Sequence, residues 1–158
     1  MKHTNNYTLK RAQIDEVMRL YRECAPHCTR QEEAFEMVAK SPASRFYIST
    51  YDTYRKIKRM LEGDMSSVEN LKSETRRRLW KELYTKVCNE LRSGERQKLS
   101  EVVKKIITSP AESIYLSPRQ VGRIYYNTRK KRYDERGVCQ VEVEMNRYYR
   151  EKRKQQNK

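Results

Sequence analysis

The phrase Ser41-Pro-Ala-Ser-Arg-Phe-Tyr-Ile-Ser49 returns 68 positions later as Ser109-Pro-Ala-Glu-Ser-Ile-Tyr-Leu-Ser117. The register extends beyond the phrase without a gap, carrying Phe35 to Val103, Val38 to Ile106, Arg55 to Arg123 and Met60 to Thr128. One local plan must therefore be satisfied twice by the same chain. Two copies are too few for a solenoid, in which each unit stacks on several neighbours, so the repeat predicts an internal pairing of two related units.

Each unit reads as helix, helix, apolar elbow, helix. Leu9, Ile14, Val17, Met18 and Tyr21 recur at helical spacing after a polar leader, and Pro26 stops that run. Thr29-Arg-Gln-Glu32 has the form of a capping box ahead of Ala34, Phe35, Met37 and Val38. Pro42 excludes Ser41 from the helical region, Phe46, Tyr47 and Ile48 form an extended apolar plug, and Ser49 is placed to cap a third helix that Gly63 closes. A long helix is expected from about Ser67 to Ser93, ended by Gly94. The plan then resumes with Leu99, Val102, Val103 and Ile106, the break at Ser109-Pro110, the plug Ile114, Tyr115 and Leu116, and the cap Ser117-Pro118 before a helix running to about Glu135. With four Gly and four Pro in 158 residues, the expected class is all-α. The expected division is a first repeat unit over residues 1–64, the long helix with the second unit over 65–137, and a basic amphipathic stretch with a fraying tail over 138–158.

Net charge is +15, and it is unevenly spread. Residues 1–65 carry 12 basic and 9 acidic groups, 66–108 carry 11 and 6, and 109–158 carry 13 and 6. A gradient of this kind favours a polyanionic partner over a merely solvated Lys-rich surface. Each third helix separates an apolar side (Tyr54, Ile57, Leu61; Val121, Ile124, Thr128) from a basic stripe of Arg55 and Arg59 in the first unit and Arg119, Gln120, Arg123, Asn127 and Lys130 in the second. Arg, Asn and Gln early on an exposed helix are the residues that pair with base edges in a helix-turn-helix module. The elbow is longer than the turn of that module, which leaves open a second reading, a loop that seals the core beside a solvated stripe. Arg129, Lys130, Lys131 and Arg132, with the tail from Arg147 to Lys154, suit phosphate contacts. Tyr125, Tyr126, Tyr133, Tyr148 and Tyr149 interleave with these runs and read either as stacking platforms for bases or as core residues. Arg76-Arg77-Arg78 points in three directions, so at most two of the three serve any one surface.

Catalysis finds few parts. Only His3 and His27 are present, there is no Gly-rich phosphate loop, G-x-S-x-G or H-E-x-x-H, and Cys24, His27 and Cys28 have no second cluster to complete a zinc site. No cofactor or metal is expected. The absence of a long apolar run predicts no membrane span, and reduced cysteines fit a cytoplasmic protein.

The elbow, followed by a helix bearing Tyr54, Ile57 and Met60, resembles a group of small proteins encoded by phages and mobile elements of anaerobic gut bacteria, in which a PA-x-RF-aromatic-V-S phrase precedes a helix. The resemblance assigns no activity to particular residues. It implies a bacterial host cell and a setting in which small basic helical proteins handle DNA as regulators or packaging factors. The expected function is non-enzymatic binding of nucleic acid, duplex DNA before RNA, with homo-oligomerisation open. The alternative is a structural, assembly or virion-associated protein whose charge balances a genome or an acidic partner, with the long Ser67–Ser93 helix as its oligomerisation surface.

Overall fold

A computed structural model describes residues 6–94 and 96–156; the polar leader before Asn6 and the last two residues of the tail lie outside the described residues. The chain is all-helical, with α1 Asn6–Cys24, α2 Gln31–Lys40, α3 Thr50–Leu61, α4 Ser66–Glu69, α5 Glu74–Leu91, α6 Leu99–Ile107, α7 Pro118–Arg129 and α8 Gln140–Gln156. Among the described residues no strand forms, and no helix is long and apolar enough to cross a membrane.

The third helices are capped as the sequence predicts. The Ser49 hydroxyl accepts the Asp52 amide, and the Ser117 hydroxyl accepts the Gln120 amide while the Gln120 side chain accepts the Ser117 amide in return. Each device satisfies amides that the first helical turn would leave unpaired. Elsewhere the boundaries differ from expectation. α2 begins at Gln31 behind Arg30 and has no side-chain cap; it is the Glu33 carboxylate, one residue beyond the expected Glu32, that accepts the Thr29 amide. The expected long helix divides at Asn70–Ser73 into α4 and α5, because Ser73 caps a new start. α7 stops at Arg129, since Lys131 takes up a left-handed φ of 52°. The tail continues as α8 through Gln156 instead of fraying.

The repeated helices are interleaved. α2 packs on α7 and α6 on α3, while α1 and α5 each brace the second helix of their own copy and the third helix of the other. Close approach of α2 to α7 depends on Gly122, where an added Cβ would lie 3.0 Å from the Phe35 ring. One core results, with Phe46, Ile57 and Met60 clustered with Leu83, Val103 and Val121.

The two elbows cross at the centre of this arrangement. Ala43 and Ala111 exchange both backbone hydrogen bonds, at 3.1 and 3.0 Å, and Phe46 and Ile114 donate to Ile107 and Ser41 of the opposite copy. A latch secures each elbow to the first helix of its own copy. Glu16 accepts from the Ser44 amide and the Tyr47 hydroxyl; Glu82 accepts from the Glu112 amide and the Tyr115 hydroxyl. Both carboxylates are buried, a position tenable only because each is paired and hydrogen-bonded. Burial pushes the Glu16 carboxyl upward, but hydrogen bonds from Tyr47 and Ser44 together with Arg19 more than offset it and leave its pKa below the ordinary value. Burial and the adjacent carboxylate raise the Tyr47 hydroxyl to about 12, and the same causes raise that of Tyr115.

Candidate nucleic-acid interface

The elbow crossing leaves a cleft of about 340 Å³ on one face, walled by Tyr47 and Tyr115 and bordered by Arg45, Arg76, Gln13 and Gln120. Arg45 is held by its Nε donating to the Phe46 carbonyl at 3.3 Å. Arg76 extends from the first turn of α5 and Gln120 from the first turn of α7, so the cleft rim also receives the electropositive ends of two helices. Ile48, the residue before the α3 cap, lines the same cleft. The two third helices therefore begin at a common rim.

Positive charge continues outward from that rim. The Lys56 ammonium of α3 lies 4.6 Å above the Trp80 ring; burial lowers its pKa, and repulsion from Arg76 adds to the effect. Arg78 acts electrostatically on Tyr115 from the α5 side. At the cleft wall Tyr115 adopts φ 54°, a strained conformation for a bulky residue, held by its amide donating to Ser113 Oγ and its hydroxyl to Glu82.

The residues singled out in the sequence fall into three groups. Arg119, Gln120 and Arg123 are exposed on the early part of α7. Arg123 faces Glu142 of α8 at 3.9 Å, an exposed ion pair worth at most about 1 kcal/mol, which leaves its guanidinium available. Arg55 and Arg59 are exposed on α3, with Arg55 stacked 5.4 Å from the centre of the Tyr51 ring. Arg129, Lys130, Lys131 and Arg132 gather at the other end of α7, about 18 Å away at 1.5 Å per residue. Arg132 there donates to Asn127, which keeps that end tied to the body.

Asn127 belongs to none of these surfaces. It is buried, and its amide donates to Glu142 Oε1 at 3.0 Å, so it anchors α8 and is not placed to touch a base. The helical period put it on the stripe of Arg123, but Glu142 at the start of α8 and Arg132 in the turn before it close over its side chain. The tyrosines also divide. Tyr125 packs against Tyr21 at 4.3 Å between ring centres, and Tyr133 is half-buried, its hydroxyl raised by burial to about 12; Tyr126, Tyr148 and Tyr149 are exposed.

Arg45 and Arg76 border the cleft without having been singled out. Arg45 is hidden within the repeated phrase, where its copy is Ser113, so the repeat gives no sign of a charged position. Arg76 belongs to a triplet in which Arg76 and Arg78 are both exposed, and which of them borders the cleft becomes identifiable only once α5 is docked. Among the described residues no group of three or more His, Cys, Asp and Glu could hold a metal ion; Cys28 instead donates to Met37 Sδ at 3.1 Å. Comparison with protein-family models, with curated proteins and with solved structures finds no match to this chain.

Proposed function

We propose that the protein binds duplex DNA without reacting with it, through the face on which the elbows cross and the third helices begin. The observation that carries this reading is the convergence of Arg45, Arg76 and the α7 start at one rim, continued along α7 by exposed Arg119 and Arg123. Phosphate oxygens fit arginines and helix starts, and a helix that presents Arg and Gln in its first turn can reach base edges. Phosphate contacts then supply most of the affinity, and Arg119, Gln120 and Arg123 supply preference among sequences. The resemblance of the elbow phrase to phage-encoded proteins is the reason to propose a regulator or packaging factor.

The test is fluorescence anisotropy on labelled duplex and single-stranded DNA at several salt concentrations. Duplex DNA is expected to bind more tightly, with affinity falling steeply as salt rises. Arg76→Ala with Arg119→Ala is expected to weaken duplex binding by about tenfold or more and to lower the log–log salt slope by about one for each phosphate left without its arginine. Unchanged affinity in that variant, alongside loss of binding when residues 147–158 are removed, would leave only non-specific adhesion by the tail.

A further inference from the structure

α8 lies apart from the core. It spans 17 residues, about 25 Å, and buries none of them. Val141, Met145, Tyr148 and Lys152 recur at alternating steps of four and three, with Tyr149 beside them, which sets them on one side of the helix. Met145, Tyr148 and Tyr149 are each half-exposed or more, at 50, 54 and 52 %. The opposite side carries Arg147, Arg150 and Lys154. At its base the helix is fixed by Glu142, which meets Asn127 and Arg123.

Charge is also ordered along the length. Residues 140–146 hold Glu142 and Glu144 with no base, whereas residues 147–156 hold Arg147, Arg150, Lys152, Arg153 and Lys154 against Glu151. We propose that the apolar stripe is the interface with a second copy of this chain, the two α8 helices running antiparallel. That direction sets the end of each helix that bears Glu142 and Glu144 beside the partner's Lys152 and Arg153, while Arg147, Arg150 and Lys154 stay outward. It also centres Met145 and Tyr148 of both copies and sets Lys152 over Val141 of the second copy, within reach of Glu144. A parallel pair would instead stack Lys152 on Lys152, at a cost. The contact is self-complementary, so it closes at a dimer instead of propagating. Glu144 and Glu151 flank the stripe at helical spacing, which disfavours an anionic lipid surface or DNA as its occupant. The basic side remains outward. Dimerisation of this kind does not depend on the DNA-binding reading.

The test uses the full chain in sedimentation velocity without DNA, at low and physiological salt. A concentration-dependent dimer is expected with a dissociation constant on the order of micromolar, as befits a small interface, weakening as salt rises. Met145→Glu with Tyr148→Glu is expected to abolish the dimer and leave the urea midpoint unchanged, since α8 contributes nothing to the core. Glu144→Lys alone and Lys152→Glu alone are each expected to weaken self-association by about tenfold or more, because each places like charges at both ends of the contact. Mixed in equal amounts, these two variants pair opposite charges at both ends and should dimerise as the unaltered chain does. The proposal is overturned by a chain that stays monomeric up to roughly 500 μM, or by a dimer indifferent to the Met145 and Tyr148 changes. A mixture no better than its components, or a monomer that instead pellets with phosphatidylserine vesicles, overturns it as well.

Discussion

α3 and α7 occupy equivalent positions in the repeat and share a length of 12 residues, a serine cap and the buried pair Thr53 and Val121, yet they present different surfaces. α7 exposes Arg119, Gln120, Arg123 and Arg129 with no acidic residue in its span; α3 carries Asp52 in its first turn ahead of exposed Arg55, Lys58 and Arg59. Where α3 has the half-buried Tyr54, α7 has Gly122 and lies close against Phe35. Where α3 has exposed Arg59, α7 has buried Asn127 bonded to α8. The divergence reaches both sides of the helix: buried Ile57 corresponds to half-buried Tyr125 and buried Met60 to half-buried Thr128, so the two copies share the cap and the elbow more closely than the faces of their third helices. The basic surface centred on α7 is thus a property of one copy, not of the repeated plan.

The matching is broken most severely at the elbows. Phe46 is 1 % exposed and its counterpart Ile114 is 3 % exposed, so truncation leaves a cavity in either case. Phe46→Ala is expected to cost about 3–5 kcal/mol and Ile114→Ala about 2–5 kcal/mol. Because the helices are exchanged, both changes should lower a single unfolding transition. Trp80, the one tryptophan, sits in the second half and reports on the first through the shared core. Urea unfolding followed by tryptophan fluorescence and by far-UV circular dichroism should give coincident midpoints in both variants. If Phe46→Ala left the fluorescence midpoint in place while shifting the dichroism, the halves would be separate bodies.

Much of this was legible in the sequence, and for a physical reason. The 68-residue register, the serine caps and the apolar plugs are local patterns repeated without a gap, and local patterns are what periodicity and capping rules detect. The exchange of partners was not legible, because α2 is equally amphipathic whether it packs on α3 or on α7. Nor was the burial of Asn127, which depends on the turn closed by Tyr133 and Cys139 bringing Glu142 back to it. No local pattern marks Glu16 or Glu82; the only signal for them is that each stands about thirty residues before the tyrosine of its own elbow.

The two latches offer an intermediate effect. Glu16→Gln leaves the Tyr47 hydroxyl and the Ser44 amide facing a group that can no longer accept both as a carboxylate, and is expected to cost about 1–3 kcal/mol at neutral pH. The folded pKa of Glu16 lies below its unfolded value, so its contribution is present above the ordinary glutamate range and is lost as pH falls through the lower, folded value. Stability of the unaltered chain should therefore decline more steeply than that of Glu16→Gln as the solution is acidified below about pH 4.3, the unfolded value. Parallel acid limbs in urea midpoints measured across that range would show that Glu16 carries no such linkage. Glu82→Gln at the other elbow loses a 2.8 Å ion pair with Lys86 where Glu16→Gln loses one of 3.2 Å with Arg19, so the two costs at neutral pH should be similar.

The smallest expected effect bears most directly on which helix meets DNA. Asp52 occupies the third position of α3, 2.6 Å from its Ser49 cap, and Gln120 occupies the same position of α7. An acidic group there complements the helix dipole and favours folding, but it also cancels the positive end that a phosphate would meet. Gln120→Asp is thus expected to leave stability unchanged or raise it by a few tenths of a kcal/mol while weakening duplex binding by about threefold to tenfold. Asp52→Gln exchanges the same two groups in the opposite sense, and its effect on affinity should be smaller, because the α3 surface keeps Glu62 just beyond its last turn. Anisotropy titrations of both variants with one duplex decide the matter by ratio: a loss at Gln120 larger than the gain at Asp52 assigns the contact to α7. Equal and opposite changes would instead place both helix starts on phosphate, and the divergence of the two surfaces would then have to serve something other than DNA.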